Sequence, residues 1–182
     1  MTFVMVPRPP LPLLQGMWRR LLIALAVFVA TFTLFLFWYQ DRFSMDRVVE
    51  VDVPVEEPVA EVLIATQGSA YKNAVTDGLA TQLRGAQVHV RIIDVGQLAG
   101  VDPADWDAVV LMHTWEMWEP EPHAAAFVAR YPERANIIVL STSGSGEMRL
   151  DSVDGISSAS VIADVPRDVD RLMEAVRGHI RP

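Results

Sequence analysis

The chain has 182 residues and a formal net charge of -8, with 23 Asp and Glu against 15 Lys and Arg. This acidic balance argues against nucleic acid, and against an anionic lipid surface, as the main partner, because like charges repel. The sequence contains no cysteine, which excludes a disulfide framework, a thiolate nucleophile and a cysteine-ligated metal.

Residues 1–18 are predicted to be a disordered, proline-rich tail. The stretch from Met1 to Gln15 contains four prolines, and each one removes a backbone donor and restricts the residue before it. They are Pro7, Pro9, Pro10 and Pro12. We therefore expect no helix before Gln15. The alternative is a polyproline II ligand for a proline-binding domain.

The most apolar stretch, LLIALAVFVATFTLFLFWY, runs from Leu21 to Tyr39 and carries no charge. At about 1.5 Å per residue, a helix of this length covers the roughly 30 Å hydrocarbon core of a bilayer. Trp18 precedes the stretch and Trp38 and Tyr39 close it, as is typical of aromatic side chains at membrane interfaces. Residues 19–39 are therefore predicted to form one helix that spans the lipid bilayer.

A cleaved signal peptide is the alternative interpretation of this stretch, because it is N-terminal and follows Arg19 and Arg20. Signal peptides have a shorter apolar region that ends at small residues. This run ends in Phe-Trp-Tyr-Gln, which favours an uncleaved signal anchor.

The orientation of the predicted span follows from the basic residues on its two sides. Arg8, Arg19 and Arg20 precede it without any acidic residue, and Arg42 and Arg47 follow it. The side richer in Lys and Arg stays in the cytoplasm. We therefore expect a single-pass protein of the plasma (inner) membrane with a cytoplasmic N-terminus and an extracytoplasmic C-terminal domain.

Residues 40–58 are predicted to be an extended linker, since they mix charged residues with Pro54 and Pro58. The alternative is a short strand from Val48 to Val53, where valines alternate with acidic residues.

Residues 59–182 are predicted to form one α/β domain, because short apolar runs alternate with segments of helical periodicity. Such alternation implies parallel strands, right-handed crossovers and helices on both faces of the sheet. The predicted strands are Val62 to Ala65, Val88 to Ile92, Ala108 to Met112 and Ile137 to Leu140.

Three helices are predicted in this domain. One begins after Ser69 and ends at Gly85, a second lies between Pro122 and Pro132, and the last is the amphipathic segment that ends near Ile180. The segment from Gln97 to Trp106 has room for only a turn or a short helix. Between Gly146 and Val165, the sequence allows either a short strand at Ser160 to Ala163 or a loop.

The order of these elements resembles the flavodoxin-like fold. So does Ala104-Asp105-Trp106-Asp107 before the strand that starts at Ala108, because that family places an Asp before its third strand. The resemblance covers Val59 to Pro182. It implies a three-layer parallel sheet of order 2-1-3-4, with a fifth strand left open, and it places the half-polar strand Val88 to Ile92 at the sheet edge.

In flavodoxins, flavin mononucleotide (FMN) lies beyond the carboxyl ends of the first, third and fourth strands. The matching loops here are Gln67 to Lys72, Thr114 to Trp118 and Thr142 to Glu147. The resemblance implies a ligand-binding mouth formed by residues of these loops, namely Gly68, Ser69, Lys72, Trp115, Trp118, Ser143, Gly144 and Ser145. FMN is therefore the cofactor to consider.

The first of these loops departs from the flavodoxin motif T/S-x-T-G-x-T, whose hydroxyls hold the FMN phosphate. Aligned on Gly68, this sequence has Ala65, Gln67 and Ala70 at the hydroxyl positions. This departure argues against FMN binding, so no cofactor is assigned. Ser69, Lys72 and backbone N–H groups could still receive a small anion.

A metal site, a serine hydrolase site and a P-loop are the other chemistries to consider. A cluster of His and Glu could supply N and O ligands to a metal, but HExxH is absent and no metal site is predicted. The cluster consists of His113, Glu116, Glu119, Glu121 and His123. Neither the G-x-S-x-G elbow of a serine hydrolase nor a P-loop is present.

Two functions of different classes remain. The favoured hypothesis is a membrane-anchored, non-catalytic module that binds a protein partner or a small ligand, because the phosphate loop departs from the family pattern. The alternative is an FMN-binding electron-transfer or oxidoreductase module. No catalytic residue is assigned in either case.

Overall fold

The computed structural model describes residues 12–43, 45–150 and 155–180, and its contacts divide the chain into two compact units, residues 1–44 and 45–182. The first unit contains helix α1 (Pro12–Phe43). Within it, Gly16–Trp38 is long and apolar enough to cross a membrane, judged by length and composition. Its large apolar side chains from Met17 to Trp38 are exposed in the protein by itself.

Helix α1 begins earlier than the sequence predicts. The expectation that no helix forms before Gln15 is wrong from Pro12 onwards. Proline is tolerated in the first turn of a helix, because the N–H that it lacks would have no acceptor there. The rest of the predicted proline-rich tail, residues 1–11, lies outside the described residues.

The second unit contains a seven-stranded sheet with the order β1-β3-β2-β4-β6-β7, and β5 pairs with β4 beside this path. The strands are β1 (Val51–Val53), β2 (Ala60–Thr66), β3 (Val88–Asp94), β4 (Ala108–Glu116), β5 (Glu119–Pro120), β6 (Ile137–Thr142) and β7 (Gly155–Ser158). Strands β3, β2, β4, β6 and β7 are parallel. Their order is the 2-1-3-4-5 order of the flavodoxin-like fold, so the predicted fold is confirmed.

Helices cover both faces of the sheet. They are α2 (Ala70–Gly85), α3 (Pro122–Arg130) and α4 (Val165–Arg177). On β2, Val62 and Ile64 pack with α2 and α4, whereas Leu63 and Ala65 pack with α3 and with the 3₁₀ helix Val95–Gly100. Because successive side chains of a strand point to opposite faces, a central strand between two helical layers is apolar throughout.

The connection from β3 to β4 contains two 3₁₀ helices, Val95–Gly100 and Pro103–Asp105, in place of a full α-helix. This confirms the short connection predicted for this part of the chain. The fifth parallel strand also exists, but at Gly155–Ser158 and not at Ser160 to Ala163. Ser160 has φ +58°, a left-handed conformation that does not continue a strand, and a 3₁₀ helix follows at Ile162–Asp164.

The strand from Val88 is not at the sheet edge, which corrects the sequence prediction. Strand β1 lies outside it and pairs antiparallel, with Asp52 opposite Arg91. The polar face of β3 is matched by acidic residues that precede or belong to β1. His89 Nε2 lies 2.6 Å from Asp52 Oδ1, and Arg91 Nε donates to Glu50 Oε1 at 2.8 Å.

The segment predicted as an extended linker, residues 40–58, therefore contains an edge strand. The alternative strand from Val48 to Val53 is confirmed over Val51–Val53. Three residues upstream of β1, the backbone N–H of Val48 donates to Asp94 Oδ2 at 2.9 Å. Residues 45–53 are thus fixed to the domain by pairing that composition alone does not show.

Candidate functional site

The candidate site lies at the edge of the sheet that is formed by the carboxyl ends of the parallel strands. Strand β2 leads into α2 on one face of the sheet, and β4 leads towards α3 on the opposite face. Ligands of doubly wound folds bind at such a point, where the chain diverges to both sides. Several polar residues at the ends of these strands are buried, namely Thr66, His113, Ser141 and Thr142.

Lys72 is the most unusual residue of this edge. It lies in the first turn of α2, is only 1% exposed, and is the only lysine in the sequence. Its ammonium donates to Thr114 Oγ1 and lies 3.7 Å from Met45 Sδ. Among the described residues, no carboxylate forms an ion pair with it. Burial lowers the pKa of Lys72 from 10.5 to about 8, and the charge of Glu116 opposes this shift.

Hydrogen bonds join the ends of β2, β4 and β6 around this ammonium. Gln67 Oε1 accepts from the backbone N–H of Thr114 at 2.8 Å, and the hydroxyls of Thr114 and Thr142 lie 3.0 Å apart. The Thr142 hydroxyl also donates to the carbonyl of His113 at 3.1 Å. The bases of the three predicted loops thus meet in one polar network.

His113 lies beside this network and is fully buried. Its Nε2 is 2.8 Å from Ser141 Oγ, whereas Nδ1 has no well-formed hydrogen bond to any described residue. Burial lowers the pKa of His113 to about 4; the backbone of Thr114 opposes the shift and the charge of Lys72 adds to it. The ring is therefore neutral at pH 7. Trp115 Nε1 is likewise buried without a described partner.

The loop that corresponds to the flavodoxin phosphate loop is covered by residues 45–48, which we call the strap. The backbones of Asp46 and Gly68 bond in both directions: Asp46 N–H donates to Gly68 O at 3.0 Å, and Gly68 N–H donates to Asp46 O at 2.7 Å. A Cβ on Gly68 would lie 2.7 Å from Asp46 O. Glycine is therefore required here by the close approach of the strap, and its N–H is already in use.

The other predicted site residues have different surroundings. Ser69 caps α2, accepting from the backbone N–H of Lys72 at 3.2 Å. Trp115 is half-buried, whereas Trp118 is 87% exposed. Ser143 is buried and its hydroxyl accepts from the Gly146 N–H at 3.0 Å. Gly144 and Ser145 are exposed. Binding of a ligand by any of them stays a prediction.

A cleft of about 560 Å³ opens at the same edge, between the strap, the loop after β3 and the start of α3. Its lining includes Arg47, Gln67, Asp94, Gln97, Glu121 and His123. None of these is among the ligand-binding residues predicted from the sequence. Gln67 begins the first predicted loop, and Glu121 and His123 belong to the His and Glu cluster for which no metal site is predicted, whereas the other three lie outside the predicted loops. The strap belongs to the predicted linker, and its composition does not indicate that it lines a cleft.

A second buried polar cluster joins α2, β7 and α4. Tyr71 Oη donates to Asp168 Oδ2 at 2.6 Å, and Ser158 Oγ donates to the same oxygen at 2.9 Å. Burial alone would raise the pKa of Asp168, but hydrogen bonds from Tyr71, Arg167 and Ser158 outweigh it and lower the pKa. This cluster fixes the last strand to the helices on one face. The sequence gives no sign of it, because Tyr71 and Asp168 are 97 residues apart.

Comparisons with known proteins find likeness only among solved structures. No protein-family model matches the sequence, and no curated protein is significantly similar to it. Flavodoxin 2 from Bacillus cereus is 14% identical over 65% of this chain and 99% of its own, with a TM-score of 0.48. The general stress protein 14 from Treponema denticola, solved in complex with FMN, is 12% identical over 68% of this chain and 83% of its own, with a TM-score of 0.29.

A mutant flavo di-iron protein from Thermotoga maritima is 11% identical over 70% of this chain, with a TM-score of 0.46. This chain spans only 36% of the length of that protein. The fold assignment rests on the strand order given above.

Proposed function

We propose that the chain is a single-pass membrane protein whose flavodoxin-like domain is a non-catalytic module for a protein partner or a small anionic ligand. The observation that carries the proposal is the double hydrogen bond between Asp46 and Gly68. It occupies a backbone donor of the loop that would have to hold a flavin phosphate. The same loop has Ala65, Gln67 and Ala70 in place of hydroxyl residues.

The small-anion alternative within this proposal is supported by Lys72. Its ammonium lies in the first turn of α2, where the helix dipole adds further positive potential. The hydroxyls of Thr114 and Thr142 are the neighbouring hydrogen-bonding groups. Because Met45 of the strap also contacts Lys72, an anion would reach the ammonium only if the strap moves.

An FMN-binding redox module is the second candidate function. The 2-1-3-4-5 strand order supports it, and so does Trp115 at the end of β4, where flavodoxins often use an aromatic residue beside the flavin. The half-buried indole has no described partner for its Nε1. The missing phosphate hydroxyls and the strap weigh against this candidate.

FMN titration of the full chain in a non-ionic detergent distinguishes the two functions. We expect no saturable binding at micromolar FMN, because the loop lacks several phosphate hydrogen bonds worth about 1 kcal/mol each. Flavin and Trp fluorescence provide the readout, and a flavodoxin in the same detergent is the positive control. Submicromolar binding, or a purified protein that is yellow, would establish the redox module instead.

The membrane topology is tested by protease access. We propose that the N-terminus is cytoplasmic and the domain is extracytoplasmic, following the arginines that flank α1. Protease added to intact spheroplasts should then remove the domain and leave an N-terminal tag protected. A domain that resists digestion until the membrane is broken would reverse the orientation.

A further inference from the structure

The turn between β4 and β5 presents two large apolar side chains to solvent. The strands pair through Trp115 opposite Pro120 and Glu116 opposite Glu119, so the loop consists of only Met117 and Trp118. Their side chains are 82% and 87% exposed, more than any other large apolar side chain described from Met45 onwards. Two large apolar side chains that are this exposed indicate contact with a surface outside the domain.

The backbone of this turn is unfavourable for the residues it contains. Met117 has φ +48° and Trp118 has φ +64°. Two-residue hairpin loops with positive φ at both positions are usually made by Asn and Gly, which adopt this conformation at little cost. Neither the backbone nor packing within the domain therefore explains why Met and Trp occupy these positions.

The turn lies at the edge where the chain enters the domain. Lys72 contacts both Thr114, near the end of β4, and Met45, the first residue of the second unit. From Thr114 the strand extends about 10 Å to Met117. A single residue, Ser44, separates Met45 from the end of α1 at Phe43. The domain is therefore tethered to the predicted membrane span by a short stretch of sequence.

We infer that Met117 and Trp118 insert into the interfacial layer of the bilayer that α1 spans. This inference rests on the proposed membrane anchoring. Trp is favoured at membrane interfaces, and a flexible Met side chain fits an irregular apolar layer. A lipid surface needs no complementary pocket. Because the tether is short, the bilayer is present at a high effective concentration for the domain.

The charged residues beside the turn indicate which lipid headgroups it contacts. Glu116 and Glu119 are exposed on its two sides. Their carboxylates remain in the headgroup layer while the tip enters, and they are repelled by anionic headgroups. The contact is therefore deeper on phosphatidylcholine than on membranes rich in phosphatidylglycerol.

The absence of cysteine from the sequence allows a site-specific test. The full chain is prepared as the Met117→Cys variant, labelled with a nitroxide and reconstituted in phosphatidylcholine vesicles. Accessibility of the label to a water-soluble nickel complex and to oxygen is measured by electron paramagnetic resonance. We expect the label at position 117 to be several-fold less accessible to nickel than a label at a water-exposed position of the same protein, and more accessible to oxygen.

Two matched labels make the outcome decisive. Glu133→Cys, exposed in the loop before β6 at the opposite edge of the sheet, should remain in water. Phe28→Cys within α1 should be in lipid, which tests the anchoring by itself. If Phe28→Cys is in lipid and Met117→Cys is in water, the inference is overturned and the anchoring stands. If both are in water, the anchoring fails and the inference with it.

A second variant tests whether the indole is responsible. Trp118→Ser, added to Met117→Cys, should return the label towards water, and so should replacement of a part of the phosphatidylcholine by phosphatidylglycerol. A label that stays at the same depth in both experiments would show that the nitroxide itself inserts, and would overturn the inference. In an unlabelled control, brominated phosphatidylcholine should quench the wild type more than Trp118→Phe.

Discussion

Lys72→Met is expected to raise the free energy of unfolding at pH 7 by about 1–3 kcal/mol, because it removes a buried charge. The Lys72 side chain is 1% exposed and, among the described residues, has no carboxylate partner. Methionine has a similar length and fills the same space without desolvating an ammonium. Thr114 Oγ1, which loses this donor, keeps its contact with Thr142.

The pH dependence of the stabilisation distinguishes removal of the buried charge from better packing as its cause. The pKa of Lys72 is about 8 in the folded protein and the ordinary value is 10.5. Between these values the unfolded chain keeps the proton and the folded chain loses it, so wild-type stability rises with pH. Below pH 8 the full cost of the buried charge is present. The advantage of Lys72→Met should therefore shrink as the pH rises from about 8 to 10.5.

Urea unfolding of the full chain in detergent, followed by Trp fluorescence, gives both results. Arg84→Met, an exposed cation in the same helix, is the matched control and should change stability by less than about 0.5 kcal/mol. Equal effects of the two substitutions, or an advantage of Lys72→Met that does not vary with pH, would contradict the explanation.

A buried lysine without an ion-pair partner among the described residues makes this edge a candidate for function. Strained or costly groups are concentrated at functional sites, where stability is exchanged for activity. A stabilised Lys72→Met variant that has lost a biological activity would therefore identify the polar network around Lys72 as the site of that activity.

Leu111→Ala is expected to lower the free energy of unfolding by about 2–5 kcal/mol, as a large truncation in a core does. Leu111 is fully buried in β4, between Ala65 of β2 and Val139 of β6. Its side chain belongs to the apolar layer under α3. The methyl groups that are removed lie between rigid strands, so the surroundings close only part of the resulting cavity.

The same urea experiment tests this prediction. Val49→Ala is the matched control, because Val49 is 81% exposed and its truncation should change stability by less than about 0.5 kcal/mol. A loss below half a kcal/mol for Leu111→Ala would place β4 outside the core and contradict the strand order.

The sequence by itself determined the features that depend on neighbouring residues. The apolar run from Leu21 to Tyr39 has the length of a membrane span, and the structure has a single helix there. Four apolar runs were predicted as strands, and each lies within an observed strand, β2, β3, β4 or β6. Periodicity and apolar content are local properties, so they can be seen in a short stretch of sequence.

Tertiary structure alone decided what those strands and loops contact. Asp46 pairs with Gly68, Lys72 donates to Thr114 across 42 residues, and Tyr71 reaches Asp168 across 97. A linker and a strap have the same composition, and they differ only in whether the folded domain offers backbone partners, as Gly68 does for Asp46 and β3 does for β1. Likewise, the burial of Lys72 follows from its place under Met45, at the meeting point of three strand ends, and a single-sequence pattern does not encode such long-range contacts.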